Sequence, residues 1–351
     1  MFTGLSRRAR RLPQVVSGGP TVRPRVAVLA CAVAVGLAGC GSSTPGASSS
    51  PDATAAGDVT IDNCGTTLTL SAPPSRVVTI KSSPLELLLA LGQRDRVVGT
   101  AFSDGPVPEA LAAQSQGLTV LSEKVPSQEV VLAAEPDLVF GGWESNFTAE
   151  GAGDRQALAA LGVSTYVAPA ACKSPGYMPD PLTFDTVFSG FEEAGRVFGA
   201  QQQAAQLVSD QKAALEAITP DSRGLTAAWY SSGTKTPYMG AGIGAPQMIM
   251  EAAGLKNIAS DVRDTWTSMG WESVVAAEPD VIVLVDAQWN TAEAKKKLLE
   301  SNPVTAALPA VRERRYVTVD FPATEAGVRN VEAVASITRQ LADIDADAAQ
   351  P

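Results

Sequence analysis

Histidine is absent from this chain of 351 residues. Without it the usual general base near neutral pH and the commonest protein ligand for transition metals are gone. His-containing triads and the HExxH zinc pattern are therefore excluded. Protein-ligated zinc is disfavoured, whereas an all-oxygen cation site is not. A GxSxG serine elbow is missing too, so an exported hydrolase would have to rely on an Asp/Glu pair of the glycosidase kind. Basic charge is scarce. From Cys40 onward 21 Lys and Arg face 37 Asp and Glu, and an acidic body disfavours nucleic acid, whose phosphates need a basic face. Beyond the N-terminal region no apolar run approaches the length of a membrane span.

The first 39 residues are the opposite in charge, with six Arg and no acid. An Arg-rich start, an apolar run from Val26 to Leu37 and the tetrapeptide Leu37-Ala38-Gly39-Cys40 have the layout of a signal peptide over 1–39. Ser6-Arg7-Arg8 is a weak twin-arginine pattern. Residues 40–58, rich in Gly, Ser, Ala and Thr, read as a flexible tether. LAGC followed by that tether is similar to a bacterial lipoprotein signal, which implies lipidation of Cys40 and an extracytoplasmic, membrane-anchored body. The alternative is an ordinary secretory cut with Cys40 incidental. Two further cysteines, Cys64 and Cys172, in an oxidising compartment suggest one disulfide; two free thiols are the alternative.

Residues 59–70 read as a hairpin turning at Asn63-Cys64-Gly65. Short apolar strands then alternate with helices: RVVTI (76–80), a helix capped by Ser82 or Ser83, RVVGT (96–100), a helix capped by Ser127, DLVF (137–140), a helix over 152–161 and VSTYV (163–167). Residues 184–218 carry apolar positions at helical spacing without an internal proline, which predicts one connecting helix about 50 Å long. Gly195 and Gly199 weaken it. After Pro220 the alternation restarts, with VIVLVD (281–286) and RYVTVD (315–320) among its strands. The expectation is α/β: two Rossmann-like parallel-sheet lobes, 59–183 and 219–351, joined by the long helix 184–218.

One passage is written twice. EVVLAAEPDLV starts at Glu129 and ESVVAAEPDVI at Glu272; seven of eleven positions are identical. Pro ends a helix and suits the start of a strand, which accounts for Pro136-Asp137 and Pro279-Asp280. It does not account for the leading glutamates. The helix dipole by itself favours a carboxylate there, which leaves a purely local role open.

Taken together, the lipobox, RVVTIKSSPLELLLALGQRDRVVG, the paired Glu-x6-Pro-Asp passages and the long central helix make the chain resemble the substrate-binding lipoproteins of ABC importers for iron-siderophores and cobalamin, over essentially all of its mature length. The resemblance implies two stiff lobes that close only slightly and a small-molecule ligand bound in a cleft between the lobes. It also implies a monomer without a resident cofactor or catalytic role, delivering to a dimeric permease with a cytoplasmic ATPase. In that family a glutamate on each lobe grips arginines of the permease, and by position these map to Glu129 and Glu272. The segments ESNF (144–147), PAACKSPGYMPDPLTFD (169–185), WYSSGTKTPYMGAGIGAPQMIM (229–250), TWTSMGWES (265–273) and EAGVRNVEA (325–333) resemble an actinobacterial branch proposed to import the precursor of the deazaflavin coenzyme F-420.

Flat π surfaces suit such a ligand. All five tryptophans, Trp143, Trp229, Trp266, Trp271 and Trp289, fall near strand ends or loops. Trp143, Trp266, Trp289, Tyr230 and Ser231 are the expected contacts, with Tyr177, Tyr238, Phe102, Phe147 and Phe321 as further candidates. For an anionic group Lys81, with Ser82 beside it, and Arg329 are expected, followed by Lys124, Lys173 and Lys235. Gly240-Ala-Gly242-Ile-Gly244 before a helix offers N–H groups to an anion, or is simply a turn. A siderophore or corrinoid is the rival ligand, and a ligand-free structural lipoprotein the rival of another class.

Overall fold

The computed structural model describes residues 58–348. The signal segment, Cys40 and the tether up to residue 57 lie outside the described residues. Among the described residues no helix is long and apolar enough to cross a membrane.

The chain opens with an antiparallel hairpin, β1 (Val59–Asn63) and β2 (Thr66–Leu70). Cys64 and Gly65 form its turn, both at positive φ. Cys64 is joined by a disulfide to Cys172, with 5.3 Å between the Cα atoms. The bridge pins the hairpin to the loop beyond the last strand of the first lobe.

That lobe alternates β3 (Val77–Ile80), α1 (Ser82–Ala90), β4 (Val97–Ala101), α2 (Glu109–Ser115), β5 (Val120–Ser122), α3 (Gln128–Ala133), β6 (Leu138–Gly141), α4 (Arg155–Ala160) and β7 (Ser164–Val167). Its five strands are all parallel, in the order β5-β4-β3-β6-β7. Ser127 caps α3 by accepting from the Val130 N–H. Neither serine caps α1. Its N-cap is Lys81, and Ser82 Oγ instead accepts from the Asp104 N–H at 2.9 Å.

The predicted single rod is two helices, α5 (Phe184–Phe198) and α6 (Gln201–Glu216). Gly199 sits in the left-handed region at φ 65 and ends α5, with the Ala200 N–H reaching back to the Gly195 carbonyl at 2.7 Å. A left-handed residue at a helix end is the conformation glycine tolerates best. Val187, Phe188, Phe191, Val197 and Phe198 are buried along α5. They belong to one apolar cluster that runs from Leu88, Phe140 and Tyr166 of the first lobe to Trp229, Met248, Val283 and Ile337 of the second. The connection between the lobes is thus packed core and not an exposed linker, which restricts hinge motion.

The second lobe comprises β8 (Thr226–Ser232), β9 (Tyr238–Gly240), α7 (Ala245–Ala252), β10 (Lys256–Asn257), β11 (Trp266–Ser268), α8 (Trp271–Ala276), β12 (Val281–Asp286), α9 (Ala292–Ser301), α10 (Pro309–Arg312), β13 (Tyr316–Asp320) and α11 (Asn330–Ala348). Its sheet runs β11-β9-β8-β12-β13, with β10 also on β8. It is mixed, not wholly parallel: β9 pairs antiparallel to β8, and β11 antiparallel to β9. The chain doubles back between Ser232 and Tyr238 instead of crossing over through a helix.

The repeated passage occupies equivalent places. In each copy a six-residue helix, α3 or α8, feeds the strand beside the lobe's first long strand, β6 beside β3 and β12 beside β8. The glutamate before proline is left-handed both times, Glu135 at φ 47 and Glu278 at φ 43. The aspartate then ties the start of the preceding strand: Asp137 Oδ2 accepts from Ser75 N and Oγ, and Asp280 Oδ2 accepts from Thr226 N and Oγ1. The second half of the repeat is therefore a structural clasp.

Candidate functional site

The parallel strands β3, β6, β7, β8, β12 and β13 end toward a cavity of about 960 Å³ between the lobes. Ligands of open α/β sheets bind outside the carboxyl ends of the strands, at such places. The first lobe contributes Ser83, Gly142 to Ser145 and Ala168 to Lys173 in part; the second contributes Ser231, Tyr238, Gly244, Thr265, Trp266, Trp289, Phe321 and Glu325.

Of the expected ligand contacts, Trp143, Ser231, Trp266 and Trp289 line the cavity, as do Tyr238, Phe321 and Lys173 among the further candidates. Tyr238 and Trp266, from adjacent antiparallel strands, stack with rings 5.8 Å apart and 13° from parallel. Trp289 packs edge-on against Phe321 and stays 63% exposed. It is held out by a tight turn. Ala287 and Asn290 bond each other's backbone, and Lys295 Nζ donates to the carbonyls of Val285 (2.6 Å) and Asn290 (2.5 Å). An exposed tryptophan on so constrained a turn is a preorganised surface.

Lys81, Ser82, Tyr230 and Arg329 do not reach the cavity wall. Lys81 is 1% exposed. It pairs with Asp104, and its Nζ lies 3.5 Å from the Trp143 ring centroid. Its backbone, at φ 83, ends β3 in the left-handed region. Ser82 is spent on Asp104. Tyr230 faces the other side of its sheet, because neighbours on a strand alternate. Its hydroxyl donates to the Gly233 carbonyl at 2.7 Å, and its ring packs on Trp271. Trp229 and Trp271 are likewise core. Arg329 crosses from the second lobe to the first and binds Glu86 with Nε and Nη2 at 2.8 and 2.5 Å. Lys124 and Lys235 are exposed away from the cavity lining. Phe102 packs beside Lys81 and Trp143, Phe147 is buried, and Tyr177 donates to Asp62.

Sequence reasoning missed the polar groups of the cleft: Glu144, Arg263, Asp264, Thr265 and Glu325. Burial opposes the charge on Glu144, but the Ser174 hydroxyl and the N–H groups of Lys173 and Ser174 outweigh it and hold the carboxyl below its usual range. Asp264 is also held below its usual range, burial being outweighed by the Thr265 N–H and by Lys173. Burial pushes Glu325 up. Both rim cations are already paired, Lys173 with Asp264 and Arg263 with Asp180. Gly244, which ends the glycine-rich loop, does open α7 at the cavity wall. Gly242 answers to packing, since a Cβ there would sit 2.0 Å from the Ser260 carbonyl oxygen.

Burial also pulls Lys295 down to about 8. A lysine depressed in the folded state binds fewer protons there than in the unfolded chain between about pH 8 and its ordinary value. Folding stability should therefore rise across that window, and the rise should vanish in Lys295→Met. Denaturation midpoints at pH 7.5 and 9.5 for both chains check this.

Glu129 and Glu272 are both exposed, each the second residue of its helix. Helices that run antiparallel to parallel strands start at the strands' carboxyl edge, so both glutamates stand at the edge of their lobe that borders the cleft.

Residues 77–323 match the periplasmic binding protein family, and the chain belongs to it. This is the ligand-binding class that serves ABC transporters, not an enzyme class. Among curated proteins the chain is similar to an uncharacterized ABC transporter substrate-binding lipoprotein of Bacillus subtilis (strain 168), with 26% identity over 88% of this chain and 93% of that one. It is also similar to a cobalamin-binding protein of Halobacterium salinarum, with 29% identity over 63% of this chain and 57% of that one. Among solved structures, a periplasmic binding protein from Veillonella parvula superposes with a TM-score of 0.72 at 25% identity over 81% of this chain and 97% of that one. An ABC-type Fe3+-hydroxamate transport system protein from Saccharomonospora viridis gives 0.70 at 27%, over 80% and 98%.

Proposed function

We propose that the chain is the extracytoplasmic receptor of an ABC importer, monomeric and anchored through a lipid on Cys40, that captures a flat aromatic ligand in the cleft. It hands the ligand to a dimeric permease through Glu129 and Glu272. The observation that carries the ligand class is the wall of Trp143, Tyr238, Trp266, Trp289 and Phe321 from both lobes. The cavity lies at the upper end of the usual range for small-molecule sites, roughly 300–1,000 Å³. The deazaflavin precursor of coenzyme F-420 is the ligand that fits this reading, its ring against the indoles and its anionic tail toward Lys173, Arg263 and the start of α7. A corrinoid or a ferric hydroxamate is the second reading, favoured by what two of the similar proteins are named for.

Titration of the purified chain with a deazaflavin, a cobalamin and a ferric hydroxamate, followed by quenching of tryptophan emission, decides between them. Tight binding of the deazaflavin alone is expected; binding of either metal complex alone would replace it. Trp289→Ala should weaken ring binding by about 1–3 kcal/mol while leaving the fold intact, because the residue projects into solvent.

A further inference from the structure

Around the floor of the cleft every charged group but one is ion-paired, or saturated by donors, among the described residues. Lys81 is paired with Asp104, and Arg329 with Glu86. Glu144 is saturated by donors from Lys173 and Ser174. Asp264 is paired with Lys173 and 56% exposed, so water serves its remaining lone pairs. Glu325 has no ion-pair partner among the described residues. Its Oε2 accepts from Trp143 Nε1 at 3.1 Å, across the two lobes. No donor among the described residues reaches its Oε1.

The loop that carries the carboxylate is held in place from behind. Asn330, 1% exposed, donates through Nδ2 to the carbonyls of Ala323 (3.0 Å) and Glu325 (2.7 Å), and its Oδ1 accepts from the Gly327 N–H at 2.8 Å. Thr324 Oγ1 closes the same loop onto the Phe321 carbonyl at 2.8 Å. Glu325 is thus a fixed acceptor in the cavity wall, in a loop that also carries Phe321 and hydrogen-bonded to Trp143, with burial working against its charge. Glu325 is half-buried at the cavity wall and its Oε1 is not sealed from solvent, so a ligand that covers it leaves a costly unpaired acceptor unless it supplies a donor.

We propose that Glu325 is the specificity determinant of the cleft: its free Oε1 accepts a hydrogen bond from a ring N–H on the edge of a flat heteroaromatic ligand, of the imide or lactam kind, lying among the indole walls. The assignment rests on the reading of the cleft as a flat-ligand site. It separates N–H-bearing rings from equally flat rings that present only acceptors at that edge. Glu325→Gln keeps the side-chain length and the bond to Trp143, but turns an NH₂ toward the ligand donor.

The test uses the full chain and two probes, an 8-hydroxy-5-deazaflavin, whose pyrimidinedione ring carries one imide N–H, and the same compound methylated at that nitrogen. The native chain should prefer the N–H probe by roughly 10- to 100-fold. Glu325→Gln and Glu325→Ala should each lose that preference while keeping near-native circular dichroism and affinity for the methylated probe. Equal binding of both probes by the native chain, or a preference undiminished in both variants, would overturn the assignment alone. Binding of neither probe would refute the deazaflavin reading, and the assignment with it.

Discussion

Replacing Glu129 and Glu272 together by alanine should abolish uptake while leaving ligand affinity unchanged. Both side chains are exposed at matched positions of the repeated helix-to-strand passage. The rest of that passage is accounted for by folding: left-handed Glu135 and Glu278 turn the chain, and Asp137 and Asp280 clasp the neighbouring strand. The leading glutamates make no such bond among the described residues, so their removal should change stability by no more than about 0.5 kcal/mol. Losing one partner of a desolvated charge pair at an interface costs roughly 2–5 kcal/mol, so losing two should weaken docking by about a thousandfold or more. Uptake into vesicles carrying the permease, measured beside ligand affinity in solution, separates the two effects. Unchanged uptake would remove the docking role and leave the helix dipole as the whole reason for these residues.

Arg329→Met should be among the most destabilising single changes in the chain. Arg329 and Glu86 are 13% and 2% exposed and join the lobes beneath the cleft, with a further bond from Arg329 to the Pro106 carbonyl. Without the guanidinium the carboxylate is left buried and unpaired, at a cost of about 3–5 kcal/mol. Glu86 is already raised by burial, with Arg329 pulling the other way. In the variant it should be raised further. A carboxyl raised in the folded state takes up a proton on folding, so the deficit should shrink as pH falls. Adding Glu86→Leu should recover much of the loss, since an apolar pair can replace a buried ion pair. Urea denaturation at pH 7 and pH 5 reads both effects. A deficit that persists in the double variant would place the role of Arg329 in packing, not in charge.

What was legible in the sequence was local or periodic. The hairpin at Asn63-Cys64-Gly65, the Ser127 cap, the repeated passage and the pairing of Cys64 with Cys172 all follow from short-range signals or from there being two cysteines to pair. The break at Gly199 was signalled by its glycine, although apolar spacing alone argued for one rod. The misses are of another kind. Tyr230 and Ser231 are neighbours, and which of them faces the cleft is decided by strand register against β12. Lys81 reads as a free cation because its partner, Asp104, lies in a loop 23 residues on. The partners Arg329 and Glu86 are separated by 243 residues, and no single-sequence pattern links them. The mixed second sheet was missed because a strand that doubles back looks, residue by residue, like one that crosses over.

The central claim is that the cleft is a trap for a flat ring. Its most direct test is the absorbance spectrum and mass of whatever small molecule is released from the full chain purified out of the cells that encode it. One equivalent of a deazaflavin chromophore, lost in Trp143→Ala, is the predicted result. A corrinoid or ferric-hydroxamate spectrum from the native chain would contradict it.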